Sequence, residues 1–92
     1  GFRLRILGTL KTGSSVQWYE FNAEPGAELA SESHGKGSLE SITLCTGNLT
    51  VTIGDDINTI CAGETLRYET DLPHKLKNEG NKDSCGFMVN LL

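Results

Sequence analysis

The chain has 92 residues, of which 37% are apolar and 22% charged, and its formal net charge is −4. This length is that of one domain, and the composition excludes wholesale disorder. The acidic balance makes the chain a poor ligand for nucleic acid, because affinity for the phosphate backbone comes largely from Lys and Arg. No apolar run reaches the length that a membrane-spanning helix needs, so we expect no membrane partner.

Short segments that alternate apolar and polar residues, separated by turn residues, occupy most of the chain. Period-two alternation is typical of half-buried strands, and no window shows a 3.6-residue apolar stripe over three turns. Glu24-Pro25-Gly26 and Gly54-Asp55-Asp56 are turn signals. We therefore predict an all-β sandwich or closed barrel. Its predicted strands are Phe2–Leu7, Val16–Phe21, Glu40–Cys45, Leu49–Ile53, Ile57–Cys61, Thr65–Glu69, Lys75–Lys77 and Gly86–Leu92.

The three cysteines, Cys45, Cys61 and Cys85, form no Cys-x-x-Cys pair. An odd number without local pairing argues against a disulfide framework or a thiolate zinc site. We expect three reduced, mostly buried thiols in a cytoplasmic protein.

Two motifs, separated by a predicted hairpin, cover about half of the chain. The first contains Gly26, His34, Glu40 and Gly47; the second contains Gly63, Pro73, His74 and Asn78. In this order and spacing they resemble the two motifs of the cupin superfamily, with a spacer before the Glu that is one residue longer than usual. The resemblance implies a cupin-type double-stranded β-helix, or jelly-roll barrel, over residues 1–92 as a single domain.

A narrower resemblance comes from Pro25-Gly26-Ala27-Glu28 and Ser31-Glu32-Ser33. These runs are similar to the sensor domain that follows a helix-turn-helix in one group of bacterial (XRE-type) transcriptional regulators. The chain begins with Gly1 and enters a predicted strand at once. We therefore expect it to be the C-terminal part of a longer chain, whose DNA-binding helix-turn-helix domain would precede Gly1.

The same resemblance implies a set of inward-facing site residues. In cupins, two His and a Glu of the first motif and the His of the second hold a divalent metal, and here Glu32 stands at the position of the first His. The implied metal ligands are thus His34, Glu40 and His74, with Glu32 as a further candidate and zinc as the best single choice of metal. Alternation places Glu40, Ile42 and Leu44 on one strand face, and His74 with Leu76 on another.

Regulatory cupins often lose metal ligands and bind small molecules directly, so a metal-free site stays open. In that case Glu32, His34, Glu40, Tyr68 and His74 would hydrogen-bond a small polar effector. Tyr68 joins this set because it precedes His74 and shares a strand face with Leu66. For Asn78 we favour a role in fixing the turn after its strand over ligand binding.

The predicted function is effector sensing rather than catalysis. A small polar metabolite, such as an amino acid or a sulfur compound, would bind in the barrel of a cytoplasmic homodimer, and DNA would bind only through the missing N-terminal domain. One alternative is a metal-dependent cupin enzyme of the dioxygenase or isomerase type. Another is a free-standing carbohydrate-binding or storage module.

Overall fold

The computed structural model describes residues 1–8, 16–32 and 37–91, and in this part of the chain all regular structure is β-strand. None of it is a helix long and apolar enough to cross a membrane. The nine strands are β1 Phe2–Leu7, β2 Val16–Ala23, β3 Glu28–Ser31, β4 Leu39–Thr46, β5 Asn48–Ile53, β6 Asp56–Cys61, β7 Thr65–Glu69, β8 His74–Lys77 and β9 Ser84–Leu91.

The strands form two antiparallel sheets that face each other. The five-stranded sheet has the order β1-β2-β9-β4-β7, and the four-stranded sheet has the order β3-β8-β5-β6. Strands that are distant in sequence therefore lie side by side, as in a jelly roll. The all-β prediction is confirmed.

The core lies between the two sheets and follows the predicted alternation. Ile42 and Leu44 of β4, Leu76 of β8 and Phe21 of β2 are buried, as is Met88 of β9. Among the aromatic residues, Tyr19, Phe21 and Tyr68 point inward, whereas Trp18 and Phe87 are exposed. The period-two pattern thus identifies the inner faces, since successive side chains of a strand alternate between its two faces.

One end of the barrel interior is closed by hydrogen bonds to the backbone, and we call it the anchored end. The fully buried Asn78 follows β8, and its amide nitrogen donates to the carbonyls of Ala23 (2.9 Å) and Lys82 (2.7 Å). Its amide oxygen accepts from Gly80 N–H at 2.9 Å. The interpretation of Asn78 as a turn-fixing residue is consistent with these contacts, because they close the turn from Asn78 to Lys82 and attach it to the end of β2.

Gly47 makes the tight connection between β4 and β5 at this same end. Its φ is +80°, and a Cβ on it would lie 2.7 Å from the backbone oxygen of Asp83. Both the left-handed backbone and the close approach require glycine.

The cysteine prediction is partly wrong. All three thiols are free, but Cys45 and Cys61 are exposed and Cys85 is half-buried. Cys45 and Cys61 lie at the carboxyl ends of β4 and β6, where the chain leaves the sheet. Small apolar character alone does not bury a residue at such a position.

Candidate functional site

A row of polar side chains crosses the inner face of the five-stranded sheet at the end opposite Asn78. Tyr68 pairs with Glu40, Glu40 with Asn90, and Asn90 with Gln17, so these four residues occupy one register position on β7, β4, β9 and β2. Directly paired residues of antiparallel strands point to the same face. We call this set the polar row, and the barrel end that it occupies the polar end.

Glu40 is the charged centre of the row and is only 3% exposed. The Tyr68 hydroxyl donates a hydrogen bond to its Oε1. Burial raises the pKa of Tyr68, and the neighbouring Glu40 charge and the hydrogen bond to it raise that pKa further. The phenol is therefore a neutral donor that solvates the carboxylate without neutralising it.

His74 approaches the row from the opposite sheet. It is the first residue of β8, and its Nε2 lies 3.9 Å from Glu40 Oε1. Its Nδ1 lies 3.1 Å from the carbonyl oxygen of Leu72. A carbonyl can only accept, so Nδ1 carries a proton, and in the neutral ring Nε2 carries the lone pair. The His74 ring also lies 5.6 Å from the Tyr68 ring, centroid to centroid.

The turn before β8 positions this histidine. Pro73 limits the backbone just before His74, and its carbonyl accepts from Gly54 N–H at 2.9 Å. Further back, Thr70 N–H donates to the carbonyl of Ser38 at 3.0 Å. These contacts attach the Thr70–Pro73 connection to both sheets, which fixes the His74 ring over Glu40.

A cavity of about 210 Å³ opens beside the polar row. Its lining combines the polar Glu40, Asn90, Tyr19 and Ser31 with apolar side chains. The apolar wall consists of Leu4, Leu29, Leu76 and Met88. Asn90 Oδ1 is buried here without a hydrogen-bond partner among the described residues. An unsatisfied buried acceptor is costly, which makes it a candidate contact for a bound molecule.

Of the five residues predicted for the site, the structure brings together Glu40, Tyr68 and His74. Glu32 lies beyond the end of β3 and is exposed. It lines an outer cleft of about 310 Å³ that His74 also borders, so it does not join Glu40 inside the barrel. A carboxylate at this position keeps its hydration, which avoids a second buried charge beside Glu40. His34 lies outside the described residues.

The implied metal site needs more ligands than the described residues provide. Glu40 and His74 offer a carboxylate and an imidazole, and in the described ranges no group of three His, Cys, Asp or Glu side chains could hold a metal ion. Zinc sites that keep a position for a substrate or water use three protein ligands. A metal here would require His34, and metal binding therefore stays a prediction.

Among the site residues that the sequence analysis missed are Asn90 and Tyr19, which both line the cavity. A signal for both was present, because alternation from Met88 places Asn90 inward and alternation from Phe21 does the same for Tyr19. No motif identified them as polar contacts, and only the pairing of β9 between β2 and β4 places them beside Glu40.

Two facing sheets with an inward-facing histidine and glutamate define a small β-barrel of the cupin type. The family model of the Cupin domain matches residues 19–90, and the chain belongs to this family. Among curated protein sequences, none matches the chain significantly.

Solved structures show the same fold in other organisms. The Cupin_2 domain of an XRE family transcriptional regulator from Enterobacter cloacae has a TM-score of 0.90 at 19% identity, with 99% of this chain and 96% of that chain covered. An HTH_3 family transcriptional regulator from Vibrio cholerae has a TM-score of 0.87 at 16% identity, and the match covers 99% of this chain but 51% of that one. The Cnp3 cupin domain of Schizosaccharomyces pombe has a TM-score of 0.83 at 15% identity, over 98% of this chain and 60% of that chain.

Proposed function

We propose that this cupin domain senses a small polar effector for a bacterial transcriptional regulator. The observation that carries the proposal is the polar row beside a cavity of about 210 Å³, where Asn90 Oδ1 is buried without a partner among the described residues. An unpaired buried acceptor lowers the stability of the fold, whereas a ligand that donates a hydrogen bond would satisfy it. The likeness to cupin domains of XRE and HTH_3 family regulators supports a regulatory role.

Binding, rather than turnover, is the proposed work of the site. The effector would bind one arrangement of the barrel better than another and so change the position of DNA-binding domains in the full regulator. The same proposal has three further parts: a helix-turn-helix domain before Gly1, a cytoplasmic location, and a divalent metal with zinc as first choice. The gene sequence upstream of Gly1 tests the first of these directly.

A homodimer also belongs to the proposal. Trp18 and Phe87 are 52% and 41% exposed on the outer face of the five-stranded sheet, on neighbouring strands β2 and β9. Exposed large apolar side chains that lie together favour a protein contact. Palindromic operators would make a second copy of this chain the natural partner. Sedimentation equilibrium of the domain tests this point, and a monomer at all accessible concentrations would contradict it.

The two histidines of the sequence offer the test of effector binding. The wild-type domain is screened calorimetrically against amino acids, sulfur compounds, sugar derivatives and zinc chloride, and then compared with the double variant His34→Ala/His74→Ala. We expect the double variant to lose binding of the compound that the wild type binds. Circular dichroism checks that it keeps its strands.

Half-buried Lys75, which neighbours His74 on the other strand face, gives the control variant Lys75→Ala. It should bind as the wild type does. If the double variant bound zinc and the effector with unchanged affinity, the histidines would be structural. If the domain converted the bound compound to a product, the non-catalytic role would be wrong.

A further inference from the structure

The geometry points to a specific class of effector: a small primary ammonium compound with a short apolar body, bound with its ammonium group between Glu40 and Asn90. This inference rests on the proposed function, since it concerns the ligand of the same cavity. It goes beyond that function because it specifies the charge and the size of the ligand.

The charge of the cavity gives the first step of the argument. Among its described lining residues, Glu40 carries the only charged side chain, and none of them is Lys or Arg. The Tyr68 hydroxyl donates to Glu40, and the carboxylate has further acceptor positions beside that one. His74, whose Nε2 lies 3.9 Å from Glu40 Oε1, does not line the cavity, so on the cavity side the carboxylate attracts a cationic ligand and repels an anionic one.

The hydrogen-bonding groups give the second step. Glu40 and Asn90 are directly paired across β4 and β9, so their oxygens lie side by side on the inner face. Both are acceptors, and Asn90 Oδ1 has no donor among the described residues. The Tyr19 hydroxyl, which could have supplied one, donates to Gln17 Oε1 at 2.8 Å. An ammonium group has three N–H donors and can serve both acceptors at once, whereas a carboxylate ligand has none.

The rest of the lining sets the body of the ligand. Leu29, Leu76 and Met88 form an apolar wall together with Leu4. A volume of about 210 Å³ has room for about seven water molecules at about 30 Å³ each. The cavity therefore accommodates a chain of a few methylene groups attached to the ammonium, and apolar burial of those groups adds to the affinity.

A series of three compounds of similar size tests the ligand class. n-Butylammonium, n-butanol and n-butyrate share a propyl chain, differ in the polar end, and are titrated into the domain by calorimetry. EDTA is present throughout, so that metal does not contribute. A pH of about 8 keeps n-butylammonium protonated and n-butyrate ionised. We expect n-butylammonium to bind about tenfold or more tightly than n-butanol, and n-butyrate not to bind.

The variant Glu40→Gln keeps an oxygen for the Tyr68 hydroxyl and removes the charge. It should weaken n-butylammonium binding by about tenfold or more and abolish the preference over n-butanol. Glu69→Gln removes an identical charge from the exposed face of β7 and should bind as the wild type does.

Three other results would contradict the proposal that the ligand is an ammonium compound. Equal or tighter binding of n-butanol or n-butyrate would overturn it while leaving effector sensing in the barrel intact. Unchanged affinity in Glu40→Gln would place the amine elsewhere and overturn it as well. Failure of all three compounds would overturn it, and the proposed function itself would fall only if the wider screen with the histidine double variant also found no ligand.

Discussion

Asn78 and Asn90 lie at opposite ends of the barrel interior, and their side-chain amides differ in what they contact. Asn78 uses its oxygen and its nitrogen in three hydrogen bonds to the backbone, and Ser84 beside it donates to the carbonyl of Asn48 at 2.5 Å. Asn90 Oδ1 has no partner in the described structure. Buried polar groups at the anchored end therefore stabilise the fold, whereas at the polar end Asn90 Oδ1 adds no hydrogen bond within the described residues.

The same substitution at both asparagines tests this comparison most strongly. Asn78→Leu removes three hydrogen bonds and leaves the Ala23 and Lys82 carbonyls without their donor, so we expect a loss of about 3–6 kcal/mol in the free energy of unfolding. Asn90→Leu removes an unsatisfied oxygen at similar volume and should change that free energy by less than about 1 kcal/mol. Urea denaturation measures both. Equal losses would show that the two ends do not differ as described.

Two turn glycines sharpen the comparison further. Gly47 at the anchored end and Gly54 at the polar end both have positive φ, +80° and +57°. An added Cβ at Gly47 meets the backbone oxygen of Asp83 at 2.7 Å, but at Gly54 it meets only the end of the exposed Leu72 side chain, at 3.1 Å.

We therefore expect Gly47→Ala to cost about 2–5 kcal/mol, from backbone strain plus overpacking, and Gly54→Ala about 1–2 kcal/mol, from strain alone. Thermal unfolding of the two variants side by side measures the difference. A larger loss of stability in Gly54→Ala than in Gly47→Ala would show that the anchored end is not packed more tightly than the polar end.

The third prediction concerns the Tyr68 hydroxyl, whose loss should cost less than Asn78→Leu or Gly47→Ala. Tyr68→Phe leaves Glu40 without its buried donor and should lower the free energy of unfolding by about 1–3 kcal/mol at neutral pH. The folded-state pKa of Tyr68 is raised above its ordinary value of 10.0, so the folded protein holds this proton more tightly than the unfolded chain does. Its contribution is fully present below about pH 10 and is lost as the pH rises beyond that value.

Wild type should consequently lose more stability than Tyr68→Phe between neutral pH and about pH 11, and the two curves should converge. Denaturation at a series of alkaline pH values gives the comparison. Parallel curves would mean that burial beside Glu40 does not raise the pKa of this hydroxyl.

Much of the fold follows from short-range patterns in the sequence. Alternation identified the inward faces of β4 and β8, because the same side of a strand recurs every second residue. The positions of Glu40, Tyr68 and His74 were predictable for that reason, together with the motif spacing. The end of β3 was harder to predict. This strand ends at Ser31 and leaves Glu32 in solvent, and motif spacing does not specify where a strand ends.

Alternation along β9 is enough to predict that the Asn90 side chain points inward, but it does not predict that Asn90 belongs to the site. Its significance depends on β9 lying between β2 and β4, which is a long-range pairing that local pattern does not specify. The exposure of Cys45 also involves strand pairing. Cys45 lies at the register shift between Leu44 and Thr46, near the end of β4, and its side chain is exposed.

The polar row also has a consequence for the order in which the molecule forms. Its members come from β2, β4, β7 and β9, so the row is complete only when the two ends of the chain have met in one sheet. Contacts of such long sequence separation form late, since loop closure must precede them. A ligand held across β4 and β9 would stabilise the finished barrel more than the folding transition state, and it would slow unfolding far more than it speeds folding.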